Sequence, residues 1–446
     1  MGFVVLVFGV VALVHYYLWR RLVKATTLPG RTRRALTWVL LGLGALVPVT
    51  LVGSRTGWGH FLAWPGFFWI AVMFYLLVFL LVLEIPRALA SSVLDRRSRR
   101  RSEAALARRL ADRRRARTAE PALTGEPAAR HEAVEASPDR EEPSGQEEPS
   151  TRGGEPSARG GEPEAIGRRL FIARTAAAVA GAGALATVGY GVRTALGDPV
   201  IESVRVTLPR LDPRLSGLRF AVVSDIHLGP LTGLGHSERI VRMINSLQAD
   251  VVAVVGDLVD GTVAELGRLA RPLANLESRY GSYFVTGNHE YYTANGPGEW
   301  VEELGGLGIR TLRNERIEIA HGGAVLDLAG VDDVTGAAGG SGSAGGPDFA
   351  RALGGRDRSR SVVLLAHQPV QAVQAAEHGV DLQLSGHTHG GQMAPFNLVV
   401  PLQQPVVAGL GEVGGTQVYV TRGAGFWGPP VRVGAPPEIT LLELRA

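Results

Sequence analysis

The chain has no cysteine among its 446 residues. A disulfide framework, a thiolate metal site and a cysteine nucleophile are therefore excluded, and any metal must be held by His, Asp, Glu or Asn. Charge is nearly missing from three stretches, residues 2–19, 35–53 and 61–85, which are apolar on every face. Each is about the length that crosses a bilayer, and Trp19, Trp38, Trp64 and Trp69 fall near the expected interfaces, so transmembrane helices fit better than buried helices of a soluble domain. Basic residues are scarce between the second and third runs, where Arg55 stands alone. The net charge of +4 is gathered instead beside the apolar runs. That is the pattern of membrane orientation, and no nucleic-acid partner is expected.

Arg20, Arg21, Lys24, Arg31, Arg33 and Arg34 lie between the first two runs, and a dense basic block from Arg87 to Arg117 follows the third. By the positive-inside rule those flanks are cytoplasmic and the N-terminus is outside. Residues 1–86 are thus expected to form three transmembrane helices and 87–167 a cytoplasmic linker. Within the linker, 91–118 fits either a basic surface helix or a solvated charge run. Its remainder is rich in Glu, Pro, Ser and Gly and cannot bury enough apolar surface to offset its ordering entropy, so it is expected to be disordered. In residues 168–197 the pair Arg168-Arg169 precedes a weakly apolar Ala/Gly run. Two readings stay open: an ordinary fourth span, or an internal signal anchor similar to those taken up by the twin-arginine export machinery. Both put residues 198–446 on the extracytoplasmic face.

After Pro199 short apolar runs alternate with amphipathic ones. Strands are expected at 218–225, 251–257, 282–286, 316–320, 324–330, 361–366, 381–384, 417–421 and 439–444, with helices at 237–248 and 299–307. The fold class is α/β, an α+β sandwich of two packed mixed β-sheets with helices outside, about 245 residues as one domain. The Gly/Ser run 336–346 reads as a loop over one rim.

Polar residues cluster at strand ends. The first ends in Ser224-Asp225-Ile226-His227, the second in Gly256-Asp257, the third in Gly287-Asn288-His289-Glu290, and later ones in Ala366-His367 and Ser385-Gly386-His387-Thr388-His389-Gly390-Gly391-Gln392. Alternation in DxH and HxH puts both side chains of a pair on one side of an extended segment. Open sheets place chemistry at the C-terminal ends of their strands. Five such ends supply oxygen and imidazole ligands for two cations. Asp257 is placed to bridge them, because a shared carboxylate offsets the repulsion between ions about 3.5–4 Å apart. Mixed imidazole and carboxylate ligands favour Mn, Fe or Zn.

The order DxH, GDLVD, GNHE, AH, GHTHGGQ resembles the calcineurin-like metallophosphoesterase superfamily. With Gly330-Val331-Asp332-Asp333 and the closing RGAGFWGPPVRVGAPPEITLLEL, it is similar to the branch of YkuE-type phosphoesterases and transmembrane proteins with a metallophosphoesterase domain. The resemblance covers about residues 203–445. It implies that Asp225, His227, Asp257 and His389 hold one metal, and Asp257, Asn288, His367 and His387 the other. It implies for His289 a contact with phosphate and protonation of the leaving oxygen. Water acidified by the metals would attack phosphorus in line.

The expected activity is hydrolysis of a phosphate mono- or diester by a membrane-anchored enzyme, the substrate a lipid-linked or cell-envelope ester. One rival is a lipid-sugar pyrophosphatase similar to the UDP-diacylglucosamine hydrolases. The other is a metal-loaded binding or sensory protein without turnover, which would have no use for His289. Phe426 and Trp427 read either as an apolar lip for a lipid-like substrate or as loop packing. Arg422 reads either as a phosphate contact or as the partner of a carboxylate.

Overall fold

The computed structural model describes residues 2–54, 60–118, 162–293, 295–338 and 345–446. Arg55, the expected disordered linker from 119 to 161 and the centre of the 336–346 loop lie outside the described residues.

The apolar N-terminal runs are helical: α1 (Gly2–Leu18), α2 (Arg31–Gly53) and α3 (His60–Thr118). A further helix, α4 (Glu162–Leu196), precedes the sheets. Among the described residues, three stretches are long and apolar enough to cross a membrane by length and composition: Arg31–Gly53, Ala63–Pro86 and Leu170–Leu196. The first run is shorter, 17 residues of α-helix continued by a π turn at Trp19–Lys24. Small residues let these helices approach closely. A Cβ on Gly66 would meet the Thr50 side chain at 1.8 Å, and one on Gly183 the Phe79 ring at 3.1 Å. Trp69 Nε1 donates to His15 Nε2 at 3.3 Å, joining α3 to α1. The chain divides into two units, and the second, Leu80–Ala176, is helical where described, the Arg-rich stretch to Thr118 included.

The remainder builds two six-stranded sheets. The strands are β1 (Val200–Thr207), β2 (Arg219–Val223), β3 (Val251–Val255), β4 (Ser282–Val285), β5 (Ile309–Thr311), β6 (Glu315–His321), β7 (Ala324–Gly330), β8 (Val362–Leu365), β9 (Leu382–Ser385), β10 (Gly409–Val413), β11 (Thr416–Val420) and β12 (Glu438–Arg445). One sheet has the order β1-β12-β2-β3-β4-β5 and the other β10-β11-β9-β8-β7-β6. In the first, β2 to β5 are mutually parallel; in the second, β7, β8, β9 and β11 are.

Strand periodicity accounts for the layers. Val251, Ala253 and Val255 of β3 face the other sheet, in one cluster with Leu326, Leu328, Val363, Leu365, Leu382 and Leu384. Val252 and Val254 point the opposite way, onto a helical layer that includes α5 (Leu234–Ser246), α6 (Val263–Ala270) and α7 (Gly298–Gly306). With both faces covered, the parallel strands must be apolar throughout, as β3 is. Polar groups are left to the strand ends.

Candidate active site

The C-terminal ends of β2, β3, β4, β8 and β9 deliver side chains to one crest of the sandwich. Asp225, His227, Asp257, Asn288, His367 and His389 are all buried there, and His387 is partly so. The backbone is strained at the positions that matter. Eight non-glycine residues carry positive φ among those described, and five are Asp225, His227, Asp257, His387 and His389. Such conformations persist only where the surroundings over-determine them, and they gather at functional sites.

The donor atoms fall into two groups. In one, Asp225 Oδ1 is 3.3 Å from His389 Nε2 and 4.0 Å from His227 Nε2, and the two imidazole nitrogens are 3.1 Å apart. In the other, His367 Nε2 lies 3.2 Å from both Asp257 Oδ2 and Asn288 Oδ1, and His387 Nδ1 is 2.8 Å from Asn288 Oδ1. Asp257 Oδ2 also reaches within 3.9 Å of His227 Nε2, so one carboxylate touches both groups.

Hydrogen bonding fixes which nitrogen each ring presents. His227 donates from Nδ1 to Asp260 Oδ1 at 2.8 Å, and His367 from Nδ1 to the Val255 carbonyl at 2.8 Å. Both Nε2 atoms then turn lone pairs toward carboxylate oxygens inside the protein, an arrangement that calls for positive charge between them. With protons in that place, burial opposes the charge on His367, but Asp257, Asp225 and Asp333 hold its pKa well above the ordinary value. Burial, then Arg432 and His227, hold His389 well below it, in the neutral form a ligand needs. The residues present therefore fit divalent cations, and among the described residues three groupings, Asp225-His227-His389, His227-Asp257-His289 and Asp257-His367-His387, have donor atoms within 4.8 Å of one another.

Close packing leaves no room at two glycines. A Cβ on Gly287 would sit 2.2 Å from Asp257 Oδ1, and one on Gly386 would sit 2.0 Å from Ser224 Oγ and 2.3 Å from Asp225 Oδ2.

Three further residues organise the site and were given no role from the sequence. Asp260 accepts from both His227 Nδ1 and His289 Nδ1 at 2.8 Å. Glu290 is fully buried, and its carboxylate accepts from the N–H groups of Gly287, Asp257 and Leu258 at 2.7, 3.1 and 2.8 Å, clamping the β3 and β4 loops together. Burial and then the neighbouring Asp257 push its pKa up to about 8. Arg432, also fully buried, donates to the carbonyls of His389, Arg422 and Gly425, and its Nη2 lies 2.9 Å from His389 Nδ1. Asp260 and Glu290 were signalled by their places in GDLVD and GNHE. Arg432 had only its position in the closing segment.

At the rim, Arg422 and Phe426 take the second of the two readings left open for each, and neither lines the mouth. Arg422 is committed to carboxylates, with Nη2 2.6 Å from Glu202 and Nε 2.7 Å from Glu438, so its charge is satisfied away from any phosphate. Phe426 is only 3% exposed and belongs to the packed interior, because Gly425 approaches the Ile226 carbonyl closely and turns it inward. Trp427 does stand at the mouth: it is 53% exposed with its ring centroid 6.1 Å from that of His289, and the exposed Tyr292 ring lies 5.4 Å from His289 on its own side.

Two packed mixed sheets whose strand ends converge on His and Asp clusters define the metallophosphoesterase architecture. Residues 218–391 match the family described as calcineurin-like phosphoesterase. A metallophosphoesterase of Aquifex aeolicus is 34% identical over 247 residues, 55% of this chain and 91% of that one. A transmembrane protein with metallophosphoesterase domain from Danio rerio is 41% identical over 262 residues, and the metallophosphoesterase YkuE of Bacillus subtilis is 29% identical over 289. These cover 57% and 63% of this chain and 60% and 98% of the respective relatives. The chain spans 59% of a second such transmembrane protein, from Bos taurus. The chain belongs to the calcineurin-like metallophosphoesterase family. Within it, the similarity extends to the membrane-protein and YkuE branch.

Proposed function

We propose that this protein is a membrane-anchored phosphoesterase whose site holds two divalent cations, Mn, Fe or Zn, and hydrolyses phosphate mono- or diesters. What carries the reading is the position of Asp257, 3.2 Å from His367 Nε2 and 3.9 Å from His227 Nε2, between two groups of donors. Asp225, His227 and His389 would hold one cation, Asn288, His367 and His387 the other, and Asp257 both. Bound divalent cations supply Lewis acidity, acidifying water and neutralising charge on the phosphoryl oxygens.

The chain's own residues supply the rest. His289 is tied by Nδ1 to Asp260, leaving Nε2 to carry a proton toward the mouth. Burial works against its cationic form, but Asp257 and then Asp260 lift its pKa to about 9, so it is an acid able to protonate a leaving oxygen. Asp260 is not among the proposed ligands, so its support of His289 survives when cations neutralise Asp257. A protein that only bound metal would have no need of that acid. Asn288 offers a neutral oxygen and limits the negative charge an anionic ester must meet.

Residues 1–86 and 168–197 are read as four spans, with the catalytic domain from residue 198 on the extracytoplasmic face. Contacts at the two helix ends support one shared side. A Cβ on Gly428 would lie 3.5 Å from the Phe67 ring near the start of α3, and Arg432 N donates to Gly191 O near the end of α4 at 2.9 Å. A continuous helix from Glu162 through Leu196 fits either an ordinary span or a signal anchor.

The direct test is hydrolysis of an aryl phosphodiester by the full-length protein supplied with Mn. Wild type should turn over, and Asp257→Asn and His387→Ala should each lose at least about a hundredfold in rate. Undiminished rates in both variants would refute the assignment.

A further inference from the structure

The segment that follows His389 carries no charged residue from position 390 to 411 and includes two short 3-10 turns, Phe396–Leu398 and Val400–Leu402. Its large side chains point outward: Phe396 is 51% exposed, Leu398 74%, Val399 48% and Leu402 86%. Four such residues on seven positions form a contiguous apolar projection, of the kind that marks a membrane or protein contact.

Its surroundings select the membrane. A Cβ on Gly391 would meet Asn397 at 2.4 Å, so the projection is packed on the turn that presents His389. Gln392 joins it to the loop carrying Trp427, donating from Nε2 to the Trp427 carbonyl at 2.9 Å and accepting from Trp427 N at 3.0 Å. The next residue of that loop, Gly428, is the one against Phe67, inside the apolar stretch Ala63–Pro86 of α3. The projection is thus tied, through one loop, to the end of a membrane-spanning helix.

We propose that residues 396–402 insert into the leaflet facing the catalytic domain, holding the site mouth at the lipid surface so that it takes a phosphoester borne by a membrane lipid. Insertion stands on the geometry alone; the choice of substrate rests on the phosphoesterase reading. Trp427, exposed beside His289, would then lie at headgroup depth, where tryptophan is favoured.

The absence of cysteine makes the test clean. Leu402→Cys and, separately, Leu398→Cys are labelled with an environment-sensitive nitrobenzoxadiazole dye in the full-length protein, reconstituted in phosphatidylethanolamine/phosphatidylglycerol vesicles. Ser359→Cys, exposed and ahead of β8 at the end of the sheet away from His367, is the control. Insertion predicts blue-shifted emission and quenching by shallow spin-labelled lipid at 398 and 402 and neither at 359. Water-like emission without quenching at both loop positions would overturn it. In a second arm, Leu398→Asn/Leu402→Asn should lower kcat/KM at least tenfold for an aryl phosphodiester of diacylglycerol in vesicles while leaving a soluble bis-aryl phosphodiester unchanged. Equal loss on both esters, or on neither, would overturn lipid delivery. If wild type hydrolyses neither ester while the labels insert, the phosphoesterase reading fails and insertion stands.

Discussion

One carboxylate, Asp260, accepts from two imidazoles at once, and the two have different work. For His227 it fixes the Nδ1 proton and so aims Nε2 at the donor group; for His289 it stabilises the protonated ring. Outer partners of this kind typically change metal affinity or activity by about 10–100-fold when removed. Asp260→Asn should therefore reduce kcat by that order. It should also shift the pH profile in a set direction. Removing the negative charge lowers the His289 pKa, so the acid form is lost at lower pH and the alkaline limb of kcat moves acidward. A uniform loss with an unmoved limb would make Asp260 a structural residue only. Legibility at this scale divides by what a side chain touches. Residues whose types announce ligation, the His and Asp of DxH and GHTH, stand out from sequence. Arg422 and Phe426 do not, because whether an arginine meets phosphate or Glu438, and whether an aromatic faces in or out, depends on strands far away in the chain.

Strand ends set the ligands, and the glycines beside them set how closely loops approach. Gly386 illustrates the constraint: with Ser224 Oγ 2.0 Å and Asp225 Oδ2 2.3 Å from where its Cβ would lie, Gly386→Ala must displace the Asp225 carboxylate or the turn bearing His387. We expect metal affinity to fall at least tenfold, read by calorimetric titration, with a melting temperature lowered by several degrees from overpacking of about 1–3 kcal/mol. Tight metal binding in a stable Gly386→Ala would contradict the geometry. The buried parallel strands were readable because both faces demand apolar residues; β3, expected at 251–257, is Val251–Val255. Three of the four edge strands, β1, β5 and β10, were not. β1 has a mostly exposed pattern and pairs with β12, residues 438–445, a partner no local window can see. The three-residue β5 and the Gly-rich β10 carry too little periodicity, and the apolar turns at 396–402 lack any.

At the scale of the molecule, arginine asymmetry and helix contacts bear on one question, the side on which the catalytic domain lies. In the proposed topology the end of α2 at Gly53 and the start of α3 at His60 face away from the cytoplasm, on the side without the arginine excess. Phe67 near Gly428 and Gly191 against Val431 and Val433 put the catalytic domain beside the corresponding helix ends. A reporter active only outside the cytoplasm should therefore work when fused after Asp198 and stay silent when fused near residue 121; the opposite pattern would overturn the topology. The apolar runs were legible since bilayer length imposes a minimum on them, whereas helix pairing, mediated by Gly66 and Gly183, follows from no run of residues. The central claim is a phosphoesterase that works with two cations sharing Asp257. Its most direct measurement is the rate of aryl phosphodiester hydrolysis by metal-stripped full-length protein titrated with Mn. The account predicts little activity at one equivalent and a rise to full rate as the second is bound. Full activity at one equivalent, or hydrolysis that persists without metal, would contradict it.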